Sequence, residues 1–368
     1  MNNRWKRWTA AAVAACAVAA AGWTPMPSAP ERAAASALQP IQLIAEQDHI
    51  APGGTITYRL LYHAEANAEA SGGATAEVVV PAELTIVDAG DAAWDAEKRT
   101  LTWNFGGVAA GAAVAATFRA KVGEDAAPGG RIEVGATAEL AAGVETAAPA
   151  VGVMVGTDTH QPFMQGYPDG TFRPDGLLTR AETAAIVARI KGLRQLEGES
   201  FEDVDASHWA YRYIQQVSAE GYMIGYNGEF RPEEPITKAE LVALMLRLRG
   251  VSPVPLASEL SDAIDGWSKY AVGTAETLGW LAAADEAPFA AEEPIERELA
   301  AQWIGVGLQR GPLMDGVAAV EQHFPDVPRD HPYFRWIEEA SAVAHESEDR
   351  GEFNEYLIQY LPDYTAAF

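Results

Sequence analysis

The sequence predicts a multidomain protein in which an all-β antiparallel sandwich is followed by an α-helical repeat domain, and three observations lead to this fold class. Period-two apolar runs separated by glycine-containing turns fill residues 38–156. A turn followed by a capped helix then recurs with a period of 58 residues, the separation of Thr179 and Thr237. The length of 368 residues has room for two or three domains.

The N-terminal segment, residues 1–37, has the pattern of a secretory signal. Three basic residues within the first seven precede a run at 9–23 that is mostly Ala and Val, too short for a convincing membrane span. Two processing sites compete: an A-x-A sequence ends at Ala37, and a lipoprotein-like box ends at Cys16. Only about seven apolar residues precede Cys16, which favours cleavage after Ala37. Cys16 is the only cysteine, so the mature domains can contain no disulfide.

Residues 38–156 predict the sandwich. Apolar and polar residues alternate in four runs, which are 56–62, 76–80, 100–105 and 116–122. The pattern P-G-G-T-I-T-Y, V-P-A-E-L and L-T-W-N-F-G-G-V-A-A-G resembles the Ig-like repeat domains of bacterial surface proteins. We expect Trp103 to lie in the core rather than to form a sugar-binding platform. The resemblance implies a spacer or a weakly adhesive surface, and it names no ligand.

The first repeat begins at 166–190 with the sequence GYPDGTFRPDGLLTRAETAAIVARI. Pro-Asp-Gly, ending at Gly170, predicts a tight turn. Thr179 and Glu182 stand three residues apart just before an apolar series. This spacing predicts a capping box that opens an amphipathic helix.

Two further copies follow, separated by a second kind of segment. The copy at 225–248 keeps the turn glycine and the capping pair, Thr237 and Glu240, whereas the copy ending at 294–299 has lost its cap pair and its loop. A second kind of segment begins at 201, where F-E-D-V precedes H-W-A and a helical run. It recurs as L-S-D-A at 260, followed by Trp267, and as F-P-D-V at 324, followed by His331. One such unit cannot bury its own apolar face, so neighbouring units must pack together.

These motifs resemble S-layer homology domains, which fasten exported bacterial proteins to the cell envelope. The resemblance covers roughly residues 160–345 and implies an α-helical pseudo-threefold bundle after the Ig-like sandwich. The units are expected at 157–200, 201–252 and 259–312, followed by a closing half-unit at 324–346 and a tail at 347–368. The order starts half a unit late, so the closing half-unit is expected to complete the first unit. The tail, with Tyr356, Leu357, Ile358 and Tyr360, is expected to be either unordered or a short docking helix.

The repeated helix starts offer an anion site. Arg180 occupies the first helical position beside the unsatisfied amide groups of the helix N-terminus, where carboxylates and phosphates bind. Lys238 and Arg297 occupy the same place in the other copies. Arg173 and Arg231 stand seven residues before the first two of these cations. The alternative, that each base pairs with an acidic residue of a neighbouring unit, remains equally open.

The family resemblance favours binding. S-layer homology domains bind secondary cell-wall polysaccharides, often through a pyruvate ketal whose carboxylate meets the basic residue of the T-R-A-E motif. By resemblance, the glycan-binding residues are Arg180, Lys238 and Arg297, with Trp209 and Trp267 as groove aromatics and Asp203, Asp262 and Asp326 at the unit junctions. The three Asp residues are equally well explained as helix N-caps. One groove, around Arg180 or Lys238, is expected to dominate, and the groove at Arg297 to be weak or structural.

Other classes of function find little support. A formal charge of −26 leaves no basic face for nucleic acid, and the sequence lacks the common hydrolase, nucleotide-binding and zinc-protease motifs. His323, His331 and His345 are spaced by 8 and 14 residues, which fits no helical face. We therefore expect no enzyme activity, cofactor or metal site. The expected partner is a secondary cell-wall polysaccharide; the alternative is a structural or assembly module with a protein partner.

Overall fold

The computed structural model describes ten stretches of the chain: residues 39–64, 73–140, 143–194, 198–225, 227–256, 258–262, 264–281, 289–341, 343–351 and 353–362. The predicted signal segment lies outside these residues. Among the described residues, no helix is both long enough and apolar enough to cross a membrane.

Twelve strands make up the first part of the chain. They are β1 to β12: Ile41–Ala45, His49–Ile50, Thr55–His63, Ala74–Val79, Leu84–Asp88, Ala93–Asp95, Thr100–Phe105, Ala113–Val122, Arg131–Val134, Ala136–Leu140, Glu145–Ala147 and Val151–Val155. They form sheets of order β1-β3-β8-β5, β11-β10-β4-β7-β6 and β2-β12-β9. Neighbouring strands are antiparallel except β2 and β12, which are parallel. The four alternating runs found in the sequence lie on β3, β4, β7 and β8.

The first two sheets enclose one apolar core. Tyr58 and Phe118 stack with ring centroids 4.8 Å apart, and Trp103 of the opposite sheet lies 5.7 Å from Phe118. Trp103 is buried, which confirms the sequence prediction. Small buried residues such as Ala76 and Ala120 bring the two faces close together.

The remaining residues, which we call the repeat region, combine helices with a sheet. Helices α1 to α7 are Arg180–Lys191, Tyr211–Ala219, Lys238–Arg249, Glu259–Asp262, Lys269–Thr277, Arg297–Gly307 and Phe334–Ser341. Strands β13 to β16 are Asp158–His160, Leu313–Met314, His345–Asp349 and Glu355–Tyr360, and they form a sheet of order β13-β15-β16-β14.

The predicted fold class is therefore wrong for the repeat region, which is not an α-helical bundle. The described residues hold four sheets, and their seven helices are short, from 4 to 12 residues. The prediction of a docking helix in the tail is wrong as well, because residues Glu355–Tyr360 form strand β16. The error arises at β15, whose buried face carries His345, Ser347 and Asp349. A strand that buries polar residues shows no apolar alternation in the sequence.

Three junctions join the helix starts in a ring. Isolated bridges pair Thr179 with Pro235, Thr237 with Pro294, and Leu177 with Glu296. Around this ring α1 packs against α2, α3 against α5, and α6 against α7. Apolar residues of these helices share one hydrophobic cluster with Ile44 and Leu61 of the sandwich, so the two halves of the protein are packed together.

Candidate functional site

The starts of α1 and α3 are closed by the capping boxes that the sequence predicts. Thr179 Oγ1 accepts a hydrogen bond from the Glu182 N–H at 3.2 Å, and Glu182 Oε2 accepts one from the Thr179 N–H at 2.9 Å. Thr237 and Glu240 repeat both bonds, at 3.2 and 3.0 Å. Helix α6 starts at Arg297, and its N-cap residue, Glu296, makes no side-chain cap hydrogen bond. The predicted pattern of two capped helices and one uncapped helix is thus confirmed.

Each helix start meets the next repeat through the same backbone contacts. The first helical N–H donates to a loop carbonyl in three matching bonds: Arg180 to Glu234 at 2.9 Å, Lys238 to Glu293 at 2.9 Å, and Arg297 to Gly176 at 2.8 Å. The second N–H of each helix also donates to a loop carbonyl oxygen, and the acceptors for α1, α3 and α6 are Pro232, Ala291 and Pro174. Helix N-termini bind anions through unsatisfied amides. Because carbonyls occupy these amides, anion recognition at the junctions falls to side chains.

Arg180 is almost completely buried in the first junction. Its guanidinium donates to the carbonyl oxygens of Phe230 at 2.9 Å and Ile224 at 3.0 Å, and it lies 5.0 Å from the centre of the Phe230 ring. Its Nη1 is 3.6 Å from Glu240 Oε1. Burial lowers the pKa of Arg180, although the Glu240 carboxylate opposes this effect. Partners inside the protein therefore hold this guanidinium.

Arg297 is enclosed still further, with 3% of its side chain exposed. Its guanidinium donates to the carbonyl oxygens of Phe172 at 3.0 Å and Gln165 at 2.8 Å, and to Glu182 Oε1 at 3.0 Å. The rings of Phe172 and Tyr167 lie 4.7 and 4.9 Å from it. The Tyr167 hydroxyl also donates to Glu182, at 2.8 Å. Arg297 thus ties the third repeat to the first through an ion pair with a neighbouring acid.

Lys238 is the most accessible of the three cations. Its Nζ lies 3.1 Å from Glu293 Oε2, and 18% of the Lys238 side chain and 66% of the Glu293 side chain are exposed. Ion pairs at the surface contribute only about 0–1 kcal/mol. An external anion can therefore compete with Glu293 for this ammonium group.

The Asp residues of two F-x-D-V segments hold the loops that precede the capped helices. Asp203 accepts hydrogen bonds from the N–H groups of Phe230 and Arg231 at 2.8 and 2.6 Å, and Asp326 accepts them from Phe172 and Arg173 at 3.0 and 2.7 Å. Neither Asp precedes a helix directly, since α2 starts at Tyr211 and α7 at Phe334. They bind loops and are not helix N-caps. Asp326 also shows that the closing segment contacts the first repeat.

Arg173 and Arg231 occupy equivalent places in their loops, each with a left-handed φ of 58°. The Arg173 side chain is half exposed, 2.8 Å from Asp169, and its guanidinium covers the Tyr167 ring at 3.9 Å. Arg231 is partly exposed and lies 3.1 Å from Glu234. Hydrogen bonds from Thr171 and Arg173 hold the pKa of Asp169 well below its usual range. The Arg173 side chain is therefore the more accessible of the two, with 52% exposed against 34% for Arg231.

Trp209 has 56% of its surface exposed, which is unusual for a large apolar side chain. It stacks on His208, with ring centroids 5.9 Å apart, and Tyr213 lies edge-on at 6.5 Å. His208 Nε2 is 3.0 Å from Glu233, a residue of the first junction loop. An exposed aromatic face therefore lies next to the junction that Arg180 fills.

The third repeat is less complete. Trp267 is half-buried, and Asp262 is exposed within α4, 3.9 Å from Lys269 Nζ. The loop that would correspond to those held by Asp203 and Asp326 includes residues 282–288, which lie outside the described part of the chain.

The sequence analysis did not predict the contacts that Tyr167 and Glu182 make across the junctions. Glu182 serves both as the capping residue of α1 and as the ion-pair partner of Arg297. The available signal that cations pack against the preceding loops was the recurrence of Phe172 and Phe230 at the repeat period. The Phe172 ring lies against Arg297, and the Phe230 ring lies against Arg180.

Comparison with known proteins identifies the repeats. The family model of the S-layer homology domain matches residues 163–184 and 200–242. The chain therefore contains S-layer homology units, the class of module that the repeated loops and capped helices define.

Two curated proteins are similar to part of this chain. Cellulosome-anchoring protein of Acetivibrio thermocellus is 30% identical over 195 residues, covering 50% of this chain and 43% of that protein. Cell surface glycoprotein 1 of the same organism is 30% identical over 184 residues, covering 46% of this chain and 8% of that protein. The chain spans less than half the length of either relative. With its S-layer homology units, it is a secreted protein of the cell surface.

Part of the chain has a distant structural similarity to solved pilin structures. BcpA, the major pilin subunit of Bacillus cereus, matches with a TM-score of 0.26 and 12% identity, covering 32% of this chain and 41% of the pilin chain. A similarity at this level supports no conclusion about the role of the sandwich.

Proposed function

We propose that the repeat region anchors the protein to the cell envelope without covalent attachment and without catalysis, by binding an anionic secondary cell-wall polysaccharide. The observation that carries the proposal is the accessible ammonium group of Lys238 at a repeat junction, in a chain whose net charge is −26. Isolated cations on an acidic protein are the points that a polyanion must find. The relatives named for cellulosome anchoring and for the cell surface support the same role.

We assign the main contact to Lys238, because its ammonium group is accessible and its partner Glu293 lies at the surface. Arg173 and Arg231 extend the cationic surface beside the other junctions. Trp209 offers a flat apolar face on which a sugar ring can stack. The preferred anionic group is the carboxylate of a pyruvate ketal, which a lysine or arginine binds through charge-assisted hydrogen bonds.

Arg180 and Arg297 have a different role in this proposal. Their donors are used by carbonyls and by Glu240 and Glu182, so they shape the walls of the junctions. Asp203 and Asp326 fix the loops that carry Arg231 and Arg173. By the same repeat pattern, we place Trp267 and Asp262 beside the junction of Lys238, because α5 packs against α3.

Calorimetric titration of the full chain with purified wall polysaccharide, before and after depyruvylation, tests the proposal. Lys238→Ala and Trp209→Ala should each weaken binding about tenfold, the loss of one charge-assisted hydrogen bond or one stacking contact. Lys121→Ala is the matched control, because Lys121 also forms a surface ion pair, with Glu124, but lies on the sandwich.

Equal affinities for Lys238→Ala and Lys121→Ala would remove Lys238 from the site. Unchanged binding after depyruvylation would exclude the ketal as the anionic group. If the native chain binds no polysaccharide, the repeat region is a structural or assembly module, and its partner is a protein.

A further inference from the structure

A cluster of buried ligand-type side chains lies where the sandwich meets the sheet of the repeat region. His49 comes from β2, His160 from β13 and Glu355 from β16, and none is more than 2% exposed. One nitrogen of each imidazole and one carboxylate oxygen of Glu355 lie within 4.8 Å of one another. Three segments far apart in the sequence therefore place two imidazoles and a carboxylate at one point.

Carboxylates orient both imidazoles. His49 Nδ1 is 2.9 Å from Asp48 Oδ1, and His160 Nδ1 is 2.8 Å from Glu339 Oε1. A carboxylate at Nδ1 holds the proton there and leaves the Nε2 lone pair directed away from it. This carboxylate–histidine pairing is the arrangement that supports histidine ligands of zinc. Ser347 similarly orients Glu355, since its hydroxyl donates to Glu355 Oε2 at 2.8 Å.

The atoms that face the cluster lack hydrogen bonds. His49 Nε2, His160 Nε2 and Glu355 Oε1 are buried, and none of them has a hydrogen-bond partner among the described residues. The nearest acidic contacts are His49 Nε2 to Glu355 Oε2 at 3.3 Å and His160 Nε2 to Asp158 Oδ2 at 3.7 Å. Buried polar atoms left without a partner destabilise the folded protein and are rare in native structures. Three such atoms on three residues whose ligand atoms lie within 4.8 Å of one another indicate a missing electrophilic partner.

The spacing suits a tetrahedral cation. Zinc binds imidazole nitrogen at about 2.0–2.1 Å, which places neighbouring ligand atoms roughly 3.4 Å apart. The contact of 3.3 Å between His49 Nε2 and Glu355 Oε2 already has this length. The remaining ligand atoms, within 4.8 Å, would have to close by about one ångström. Asp158, half-exposed beside His160, or a water molecule would take the fourth position.

His345 is adjacent but is not a ligand. Its Nε2 lies 2.7 Å from Glu339 Oε2 and its Nδ1 lies 2.9 Å from the carbonyl oxygen of Val343. Both nitrogens thus face acceptors, so both carry protons and neither offers a lone pair. As an imidazolium, His345 balances the charge of Glu339, which orients His160.

We propose that His49, His160 and Glu355 bind a divalent transition metal of the zinc type, which fastens the sandwich to the repeat region. Two imidazoles and a carboxylate form a donor set that zinc and its neighbours in the first transition row prefer, and that calcium and magnesium do not. The sequence analysis expected no metal site, because these ligands lie more than one hundred residues apart along the chain. With Cys16 as the only cysteine, no disulfide within the chain can fasten the sandwich to the repeat region.

The test uses the full chain, purified without an affinity tag and dialysed against micromolar zinc. Elemental analysis should find about one zinc ion per chain. Chelation by EDTA should lower the thermal midpoint by roughly 5 °C or more, and added zinc should restore it. Cobalt in place of zinc should give the visible absorption of tetrahedral Co²⁺, a readout that needs no variant.

His49→Gln and Glu355→Gln should lose the bound metal and the response to EDTA. His323→Gln is the matched control, because His323 also bonds a buried acid, Glu338, at 2.7 Å, but lies outside the cluster. A chain that binds no metal and ignores EDTA would overturn the proposal and leave a shared proton between His49 and Glu355. Metal retained by both variants, or lost equally by the control, would overturn it too.

Discussion

Replacing Arg297 with alanine should destabilise the protein far more than it weakens glycan binding. The substitution removes the hydrogen bonds to the carbonyls of Phe172 and Gln165 and the ion pair with Glu182. The truncation leaves a partly buried carboxylate and two carbonyls without their donor. Removing one partner of a buried ion pair costs about 3–5 kcal/mol. At about 2–4 °C per kcal/mol for a domain of this size, the midpoint should fall by on the order of 10 °C.

Urea unfolding of the full chain, followed by tryptophan fluorescence, measures this loss. Lys238→Ala, at a surface ion pair, should change the free energy of unfolding by less than about 1 kcal/mol. Glu182→Gln preserves the capping geometry, so a double-mutant cycle with Arg297→Ala isolates the ion pair, with an expected coupling of about 1–3 kcal/mol. A loss below about 1 kcal/mol for Arg297→Ala would refute the structural role of this guanidinium.

Two further perturbations test the loops and the charge pairs. Asp203→Ala should lower the free energy of unfolding by about 1–2 kcal/mol and raise the hydrogen-exchange rate of the Phe230 amide. Asp203→Asn should keep part of the protection. Unchanged exchange in Asp203→Ala would show that the loop keeps its conformation without this hydrogen bond. The hydrogen bond from Arg335 lowers the pKa of Asp315 to about 2, below its unfolded value near 3.8. A lowered pKa contributes stability above the unfolded value that is lost as the pH falls toward 2. Asp315→Asn should therefore cost less than about 1 kcal/mol at pH 6, since the pair is half-exposed. At pH 2, where about half of the Asp315 carboxyl groups are protonated, the cost should be much smaller. An equal cost at both pH values in urea titrations would contradict the assignment.

The sequence predicted those features that depend on residues close together in the chain, namely helix caps and alternating strands. The capping pairs Thr179–Glu182 and Thr237–Glu240 depend on a spacing of three, and both occur in the structure. Strands β3 and β8 bury alternate apolar residues, so their runs predicted them. Trp103 was placed in the core for the same reason.

The rest depended on contacts that the sequence does not encode locally. The partners of Arg180 are mainly backbone carbonyls, 44 and 50 residues away, and a carbonyl leaves no signature in a list of residue types. Strand β15 buries polar side chains, so its alternation was invisible to an apolar pattern. The sequence predicted that the repeated cations stand at helix starts. It did not predict that Lys238 is more exposed than Arg297, because this difference depends on how the loops pack.

The bonds from Asp326 to Phe172 and Arg173 make the first repeat depend on a segment 153 residues further along the chain. When a secreted chain crosses the membrane N-terminus first, the first loop therefore lacks its hydrogen-bond partner, Asp326, until the closing segment has also crossed. Closing so long a loop is slow relative to forming the local helices, so we expect the ring to be the last part of the protein to fold. The same dependence predicts that one proteolytic cut ahead of Asp326 would open the first repeat while leaving the sandwich intact.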